Sequence, residues 1–258
     1  MSSHIRIIEK DAAKFLEEIP SRTYNLIYID PPFNTGKVQE LHGIRYGDSR
    51  DHWYVWMMGL IREAHRVLCD DGTLVFHIDW HEAFSARKIL NTVFGESNFL
   101  NEIIWAYDFG ARQKNKWATK HDNIYIYVKD LQNYTFNYDE MDRIPYMAPG
   151  LVGKEKASRG KTPTDVWWHT IVPTNGKERV GYPTQKPIGM VSRFVKVHSK
   201  AEDKCLDFFA GSGTFGVCCA LNGRSCDNVD SNPDACETMN NRFSALKEEG
   251  IDIEISRD

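Results

Sequence analysis

Short apolar runs alternate along this chain with longer segments in which apolar residues recur every three or four positions. The runs predict strands at 24–29, 73–79, 101–107, 123–128, 205–207 and 225–230. Helical spacing predicts helices at 12–18, 52–68, 81–94, 188–199, 215–222 and 233–249, with a break at Asp70, Asp71 and Gly72. Because strands alternate with helices, we predict an α/β fold with a doubly wound, mostly parallel, Rossmann-like sheet and helices on both faces.

One segment, 134–182, departs from this alternation. It contains four prolines and the neighbouring aromatics Trp167 and Trp168 among basic residues, without helical or strand periodicity. We interpret it as an inserted, loop-rich lobe, so that 1–133 and 183–258 are two halves of one domain. Its aromatic residues suit contacts with nucleic-acid bases, and equally the small core of such a lobe.

Asp30, Pro31, Pro32 and Phe33 follow the first predicted strand and are the most informative feature of the sequence. Two consecutive prolines fix φ and remove two backbone donors, so their carbonyls can only accept hydrogen bonds. A carboxylate, rigid carbonyls and an aromatic ring together suit a planar base with an exocyclic NH2 group, since the oxygens accept its N–H bonds and the ring stacks on its face.

A glycine turn follows the strand near residue 205. Gly211 and Gly213 allow a ligand to approach the backbone closely, and the following helix offers free N–H groups at its N-terminus. About 20 residues later, Asp230 ends the next predicted strand, where an acid holds ribose hydroxyls in nucleoside-binding sheets. The two features together indicate a nucleoside-like cofactor beside an amino-group site.

The chain resembles the amino-group DNA methyltransferases that use S-adenosylmethionine. Three motifs carry the resemblance, namely 30–33, the Pro-Thr-Gln-Lys-Pro segment at 183–187 and the loop at 207–214. Their order is similar to that of the permuted beta class, and the resemblance extends from about Ile7 to Phe243. The sequence departs from the family pattern at Tyr107, Tyr182, Phe208 and Phe215.

This resemblance implies adenine-N6 methylation of double-stranded DNA after the base is flipped out of the duplex. Catalysis is then assigned to the first motif: Asp30, Pro31, Pro32 and Phe33. The implied cofactor residues, besides Asp30, are Asp11, Thr184, Gln185, Lys186, Asp207, Phe209, Gly211, Ser212, Gly213 and Asp230. Among these, Thr184, Gln185 and Lys186 are assigned to the cofactor carboxylate and Asp230 to its ribose. Asp11 has a second interpretation, because an Asp before a helix is commonly only its N-cap.

Charge is distributed unevenly along the chain, whose formal net charge is −4. Residues 109–200 contain 16 Lys and Arg against 8 Asp and Glu, so that this interval is at +8 and the remainder at −12. With the methyltransferase motifs present, we expect DNA phosphates to be contacted by Arg112, Lys114, Lys116, Lys120, Lys154, Lys156, Arg159 and Lys161. On charge alone, solvated loops are an equal explanation.

Several other classes of protein are disfavoured. The longest apolar runs are strand-sized, and the N-terminus has no signal-peptide layout, so we expect a cytoplasmic protein of a prokaryote or phage. Six cysteines include no Cys-x-x-Cys pair, which indicates buried thiols and no zinc site. His77 and His81 flank Asp79, and we predict structural roles and no metal there.

Two alternative functions stay open at this point. Cytosine-N4 methylation uses the same geometry, although that activity tends to carry Ser where this chain has Asp30. A catalytically silent DNA-binding module needs neither motif. The partners beyond DNA also stay open, since neither homodimerisation nor a cognate restriction endonuclease leaves a signature in the sequence.

Overall fold

The computed structural model describes residues 2–41, 44–110 and 112–258. Its strands are β1 Ser3–Glu9, β2 Tyr24–Ile29, β3 Val38–Leu41, β4 Ile44–Gly47, β5 Leu68–Asp79, β6 Phe99–Ala106, β7 His121–Val128, β8 Val166–Trp168, β9 Lys204–Asp207, β10 Ser225–Asp230 and β11 Ile253–Arg257. Its helices are α1 Ala12–Glu18, α2 Trp53–Val67, α3 Ala83–Phe94, α4 Lys154–Arg159, α5 Ile188–His198, α6 Thr214–Leu221 and α7 Pro233–Glu248.

Nine strands form one sheet in the order β11-β1-β10-β9-β2-β5-β7-β6-β8. Within it β7 alone runs antiparallel to its two neighbours. Strands β3 and β4 form a separate antiparallel pair. The predicted α/β fold with a mostly parallel sheet is confirmed.

Six helices cover the two faces of the sheet; five of them do so with one apolar stripe, whereas the short helix α6 is buried on nearly every side. Helices α1, α2 and α3 bury theirs on one face, where α2 contributes Met57, Leu60 and Ile61. Helices α5, α6 and α7 cover the other face, where α5 contributes Val191 and Phe194. Together these layers bury the sheet and hold it rigid beneath its loops.

The order of the strands brings the two sequence motifs together. Strands β10 and β9 lie between β1 and β2 in the sheet, and β2 pairs with β9 on one side and with β5 on the other. Tyr28 of β2 lies opposite Asp207 of β9, which in turn lies opposite Asn228 of β10. The loops after β2, β9 and β10 therefore leave the sheet at one edge, at a topological switch point where such folds bind ligands.

The predicted break at residues 70–72 is wrong. Strand β5 starts at Leu68, directly after α2, and continues through Gly72. The pairing of β5 with β2 shifts register between Tyr24 and Leu26, so residues 69–72 form a bulge opposite one residue. A bulge accommodates polar residues and glycine inside a strand, which a sequence pattern cannot distinguish from a turn.

Three strands of the main sheet, β1, β8 and β11, were not among the predicted elements. Strand β8 lies within segment 134–182 and pairs in parallel with β6. The start of the same segment is fixed to the end of α5, because the Asn137 amide donates to the carbonyls of Lys196 and Ser199. In the described parts of the chain, no helix is both long and apolar enough to cross a bilayer.

Candidate active site

Residues 30–33 leave the carboxyl end of β2 as a rigid, partly buried turn. Pro31 is buried and Phe33 packs against the core beneath it. The Pro32 carbonyl accepts a hydrogen bond of 2.8 Å from the indole N–H of Trp53. Among the described residues no donor reaches the Pro31 carbonyl, so this oxygen is free to accept from a ligand.

Asp30 is held between a lysine and a histidine. Its Oδ2 accepts from Lys186 Nζ in an ion pair that is largely buried. Its Oδ1 is buried and has no hydrogen-bond partner among the described residues, and His77 Nδ1 lies 4.0 Å from it. The Lys186 ammonium also lies 5.2 Å from the centre of the Phe33 ring. The carboxylate therefore points one oxygen toward the cavity and the other into the protein.

A buried hydrogen-bonded network stands behind Asp30. His77 Nε2 lies 3.0 Å from Asp122 Oδ2, and Nδ1 lies 2.8 Å from the Tyr28 hydroxyl. The Tyr107 hydroxyl donates to the other oxygen of Asp122 over 2.8 Å. The sequence indicated no role for Tyr28, and for His77 only a structural one. No sequence signal could have revealed the network, because it depends on the antiparallel register that sets Asp79 opposite Asp122.

The glycine loop after β9 is held by hydrogen bonds from both sides. Asp230 Oδ2 accepts from the Gly211 N–H over 2.9 Å. From below, Arg242 of α7 donates to the Ser212 carbonyl over 3.0 Å and to the Thr214 hydroxyl over 2.9 Å. Gly213 has φ of 72° and precedes α6. Arg242 is a second residue that sequence reasoning missed, because it lies about 30 residues from the loop it supports.

One cavity of about 320 Å³ joins the two motifs. The predicted site residues that line it are Asp11, Asp30, Pro31, Pro32, Phe33, Thr184, Lys186, Asp207, Phe209, Gly211, Ser212 and Asp230. Gln185 and Gly213 are predicted site residues that do not line it. Gln185 instead uses its amide to bond the backbone of Glu178 and Val180. A β-carbon on Gly213 would lie 2.7 Å from Met239, so this glycine is required by packing against α7.

Asp11 lies at the start of α1 and on the wall of the cavity. Its Oδ1 accepts from the N–H groups of Ala13 and Lys14 at the start of α1, as an N-cap does. The cap uses one oxygen, which leaves the other available to a ligand.

The cavity is strongly acidic, and this decides which ligands it suits. Burial raises the pKa of Asp207 well above its usual range, and it also raises the pKa of Asp230. Asp11, Asp30 and Asp48 add three more carboxylates, while the cations in the lining are Arg50 and Lys186, of which Lys186 is paired with Asp30. A buried carboxyl with a raised pKa gains energy from a cationic ligand. A nucleoside that carries a sulfonium and an ammonium group fits this donor set and charge.

The predicted phosphate-contacting residues occupy two surfaces. The first is the β6–β7 loop, which leaves the sheet at the same edge as Asp30 and contains Arg112, Lys114, Lys116 and Lys120. Lys116 Nζ lies 5.7 Å from the Trp80 ring at the end of β5. Lys120 bonds the carbonyls of Phe109 and Gly110 and so closes the loop on itself.

The second surface is α4 with the residues after it. Helix α4 exposes Lys154, Lys156 and Arg159, and it is followed by the half-buried Lys161. This segment leads into β8, whose last residue, Trp168, is 76% exposed beside the end of β6. The two surfaces thus flank β6 and β8. The first is joined to the network behind Asp30 by the hydrogen bond from the Tyr107 N–H to the Lys120 carbonyl.

Comparison with known proteins gives a consistent family. Residues 24–241 match a family model described as DNA methylase. The chain is similar to Type II methyltransferase M.HpaI of Haemophilus parainfluenzae, with 29% identity over 93% of this chain and 74% of that protein. It is similar to DNA adenine methyltransferase YhdJ of Escherichia coli, with 29% identity over 88% of this chain and 78% of that protein.

A solved structure shares the fold. PvuII DNA methyltransferase, described as cytosine-N4-specific, superimposes with a TM-score of 0.70 at 14% identity and covers all of this chain and 96% of its own. At this identity the likeness concerns the arrangement of helices and strands, and not the choice of base.

Proposed function

The chain belongs to the DNA methylase family, and on this premise we propose that it transfers a methyl group from S-adenosylmethionine to the N6 amino group of adenine in double-stranded DNA. The observation that carries the proposal is the single acidic cavity that joins the Asp30 turn to the glycine loop. Its substrate end carries a carboxylate and a free carbonyl for an amino group. Its other end carries carboxylates that suit a cationic nucleoside.

The residues of the Asp30 turn are assigned to the target base. A base inside a duplex cannot bring its amino group into this cavity, so it must be flipped out of the stack. Asp30 and the Pro31 carbonyl accept the two N6 hydrogens, and Phe33 stacks on the base. These contacts draw the nitrogen lone pair out of conjugation and aim it, so catalysis by the chain is positioning and electrostatics.

Lys186 has a double assignment in this proposal. Its Nζ bonds the Asp30 oxygen that the target amino group would need. Lys186 also lines the cavity that holds both ends of the site. We infer that Lys186 exchanges Asp30 for the cofactor carboxylate when both ligands are bound, which frees Asp30 Oδ2 for the base. The exchange costs little free energy, because the ion pair of Lys186 with Asp30 and its ion pair with the cofactor carboxylate are of comparable strength.

The remaining cofactor assignments follow the lining of the cavity. Asp230 retains lone pairs for ribose hydroxyls beyond its bonds to the loop backbone. Asp207, Phe209 and Gly211 are assigned to the methionine end, and Asp11 to the adenine amino group. When bound, S-adenosylmethionine supplies a methyl group already activated by sulfonium charge. The permuted, beta-class order of the motifs is part of this proposal.

DNA is assigned to the edge of the sheet where Asp30 lies. The β6–β7 loop supplies cations there, and Trp117 within it is 97% exposed. Such an aromatic among cations suits stacking on a base next to bound phosphates. We assign 134–182 to recognition of the target sequence. A restriction-modification setting agrees with the Type II name of M.HpaI.

Transfer of labelled methyl from S-adenosylmethionine to unmethylated genomic DNA tests this function directly. Mass spectrometry of the nucleosides should find N6-methyladenine with the wild-type chain and none with Asp30→Ala. Glu254→Ala, which removes an exposed carboxylate from the edge strand β11, is the matched control and should retain activity.

The other products have definite meanings. N4-methylcytosine in place of N6-methyladenine would keep the chemistry but overturn the assigned base. Tight S-adenosylmethionine binding without methylation of any DNA would support the silent DNA-binding module. Equal activity of Asp30→Ala and Glu254→Ala would remove the catalytic assignment of Asp30.

A further inference from the structure

Two cations are found among the described residues that line the cavity, namely Lys186 and Arg50. Lys186 is largely buried and is paired with Asp30. Arg50 is exposed, so it lies where the cavity opens to solvent. The motifs that carry the proposed function give a role to Lys186 and none to Arg50.

The backbone of Arg50 is fixed to the end of the Asp30 turn. Its N–H donates to Asn34 Oδ1 over 3.1 Å, and the Asn34 amide donates in turn to Glu82 over 2.9 Å. Asn34 follows Phe33 directly and has φ of 59°, a conformation that asparagine adopts more readily than most residues. The position of Arg50 is therefore coupled to that of the ring assigned to the target base.

The side chain of Arg50 lies over a tryptophan. Its guanidinium carbon is 4.0 Å from the centre of the Trp56 ring. Trp56 also lines the cavity, and it packs edge-to-face against Phe209 of the glycine loop with ring centres 5.6 Å apart. Stacking on an aromatic face orders a guanidinium, yet leaves the N–H donors along its edge open to an anion. Arg50 is thus oriented in advance for a ligand with two acceptor oxygens.

An anion that approaches this cavity needs a cation beside it, because five carboxylates line the walls. These are Asp11, Asp30, Asp48, Asp207 and Asp230. The proposed reaction brings two kinds of anion to the site, the carboxylate of the cofactor and the phosphates that flank the target base. The cofactor carboxylate is assigned to Lys186. The phosphates would meet uncompensated repulsion from the acids unless Arg50 offset it.

We propose that Arg50 binds a phosphate next to the flipped target nucleotide. This inference rests on the proposed function. In adenine the sugar is attached on the side opposite N6, so the phosphates stay at the mouth of the cavity when the amino group reaches Asp30. At that mouth Arg50 donates two parallel N–H bonds to the phosphate oxygens. The contact forms when the base enters the cavity, so Arg50 stabilises the flipped state over the stacked one.

The test compares two DNA duplexes, one with the site that the wild-type chain methylates in genomic DNA and one with that sequence scrambled. Binding is measured with S-adenosylhomocysteine present, so that no methyl group is transferred. Arg50→Met should bind the target duplex about 10-fold more weakly than the wild type, because it loses one charged contact, and should bind the scrambled duplex equally well. For the target duplex, the slope of log K against log salt should fall by about 1.

A second variant separates charge from geometry. Arg50→Lys keeps the positive charge, so the salt slope should stay at its wild-type value. Its affinity for the target duplex should nevertheless fall, because an ammonium group cannot donate two parallel bonds in a fixed fork.

Uncharged DNA locates the contact. A methylphosphonate replaces the phosphate on the 5′ or the 3′ side of the target nucleotide, one position at a time. At one of these positions the wild type should lose about 10-fold in affinity. Arg50→Met should lose less than about 2-fold further there, because the contact that the methylphosphonate removes is already absent.

A matched arginine and the cofactor complete the comparison. Arg87→Met removes a guanidinium that lies 3.4 Å from the centre of the Phe99 ring and outside the cavity. It should keep the affinity for the target duplex within about 2-fold. Calorimetry should find the wild-type affinity for S-adenosylmethionine in Arg50→Met. A weakened affinity for the cofactor with an unchanged salt slope for DNA would assign Arg50 to the cofactor carboxylate and overturn the proposal.

Three further results would overturn it. Arg50→Met could bind the target duplex as tightly as the wild type, or it could lose equally on both duplexes, as an ordinary backbone contact would. It could also stay as sensitive to the methylphosphonates as the wild type. Absence of methylated product from the wild-type chain would instead refute the proposed function and this inference with it, and that outcome is distinct because it precedes any comparison of variants.

Discussion

Replacing Arg242 with methionine should weaken cofactor binding without a matching loss of stability. Arg242 is 8% exposed, and its bonds to the Ser212 carbonyl and the Thr214 hydroxyl brace the glycine loop from α7. No carboxylate neutralises it within salt-bridge distance in the described parts of the chain, and burial lowers its pKa. Methionine is shorter than arginine but replaces most of its aliphatic stem with a flexible apolar side chain that carries no charge.

The magnitude follows from two opposing contributions. Two hydrogen bonds from a charged donor are worth about 1.5–3 kcal/mol each. Burying the guanidinium without an ionic partner costs several kcal/mol, so the two contributions nearly cancel for folding. We therefore expect a change of less than about 2 kcal/mol in the free energy of unfolding. The loop, however, loses its brace and leaves the Ser212 carbonyl unpaired, which costs about 1–3 kcal/mol.

Cofactor affinity should fall by about 10-fold, because ordering the loop again on binding consumes about 1.4 kcal/mol. Isothermal calorimetry with S-adenosylmethionine and urea unfolding measure the two quantities separately. Arg224→Met is the matched control, because Arg224 donates to the carbonyls of Ser199 and Asn222 at the C-terminal ends of α5 and α6, away from the glycine loop. It should lower stability and leave affinity unchanged. Unchanged affinity of Arg242→Met, or equal effects of both variants, would refute the reasoning.

Three further predictions follow from the same structure. Gly213→Ala and Gly223→Ala both place alanine at a positive φ, but of the two only the β-carbon at position 213 would also meet a side chain at 2.7 Å. Urea unfolding should therefore find Gly213→Ala less stable than Gly223→Ala by about 1–3 kcal/mol. His198 is buried, and burial lowers its pKa from 6.5 to about 4. Between these two pH values the unfolded state therefore binds more protons than the folded state. Stability should therefore fall by about 2 kcal/mol between pH 7.5 and 5.0, and His198→Leu should abolish this fall. Replacing Lys114 and Lys116 with alanine should reduce the slope of log K for DNA against log salt by about 2, and an unchanged slope would exclude phosphate contacts there.

Much of the fold was available from the sequence because its signals are local. The strands at 24–29 and 225–230 and the helix at 12–18 agree with the structure at both ends. Their apolar periodicity and their caps, such as Asp11, lie within a few residues of each other. The bulge at 69–72 and the edge strand β8 were beyond reach, since both depend on which strand pairs alongside.

The candidate site, like the fold, could be predicted from the sequence only in part. Residue type and spacing indicate the chemistry of two motifs, Asp30-Pro31-Pro32-Phe33 and the glycine loop. The sequence alone therefore determined that an amino group and a nucleoside-like cofactor were the ligands to expect. Packing decided that Gly211 lines the cavity and that Gly213 and Gln185 do not.

Only the tertiary structure decided what surrounds Asp30. His77 and Asp122 meet because β5 and β7 pair antiparallel, and Lys186, which lies 156 residues from Asp30, reaches it from the loop before α5. A sequence pattern records neither strand order nor register, and hydrogen bonds between distant side chains depend on both. The reaction class could therefore be predicted from the sequence, whereas the groups that surround Asp30 depend on how the sheet is assembled.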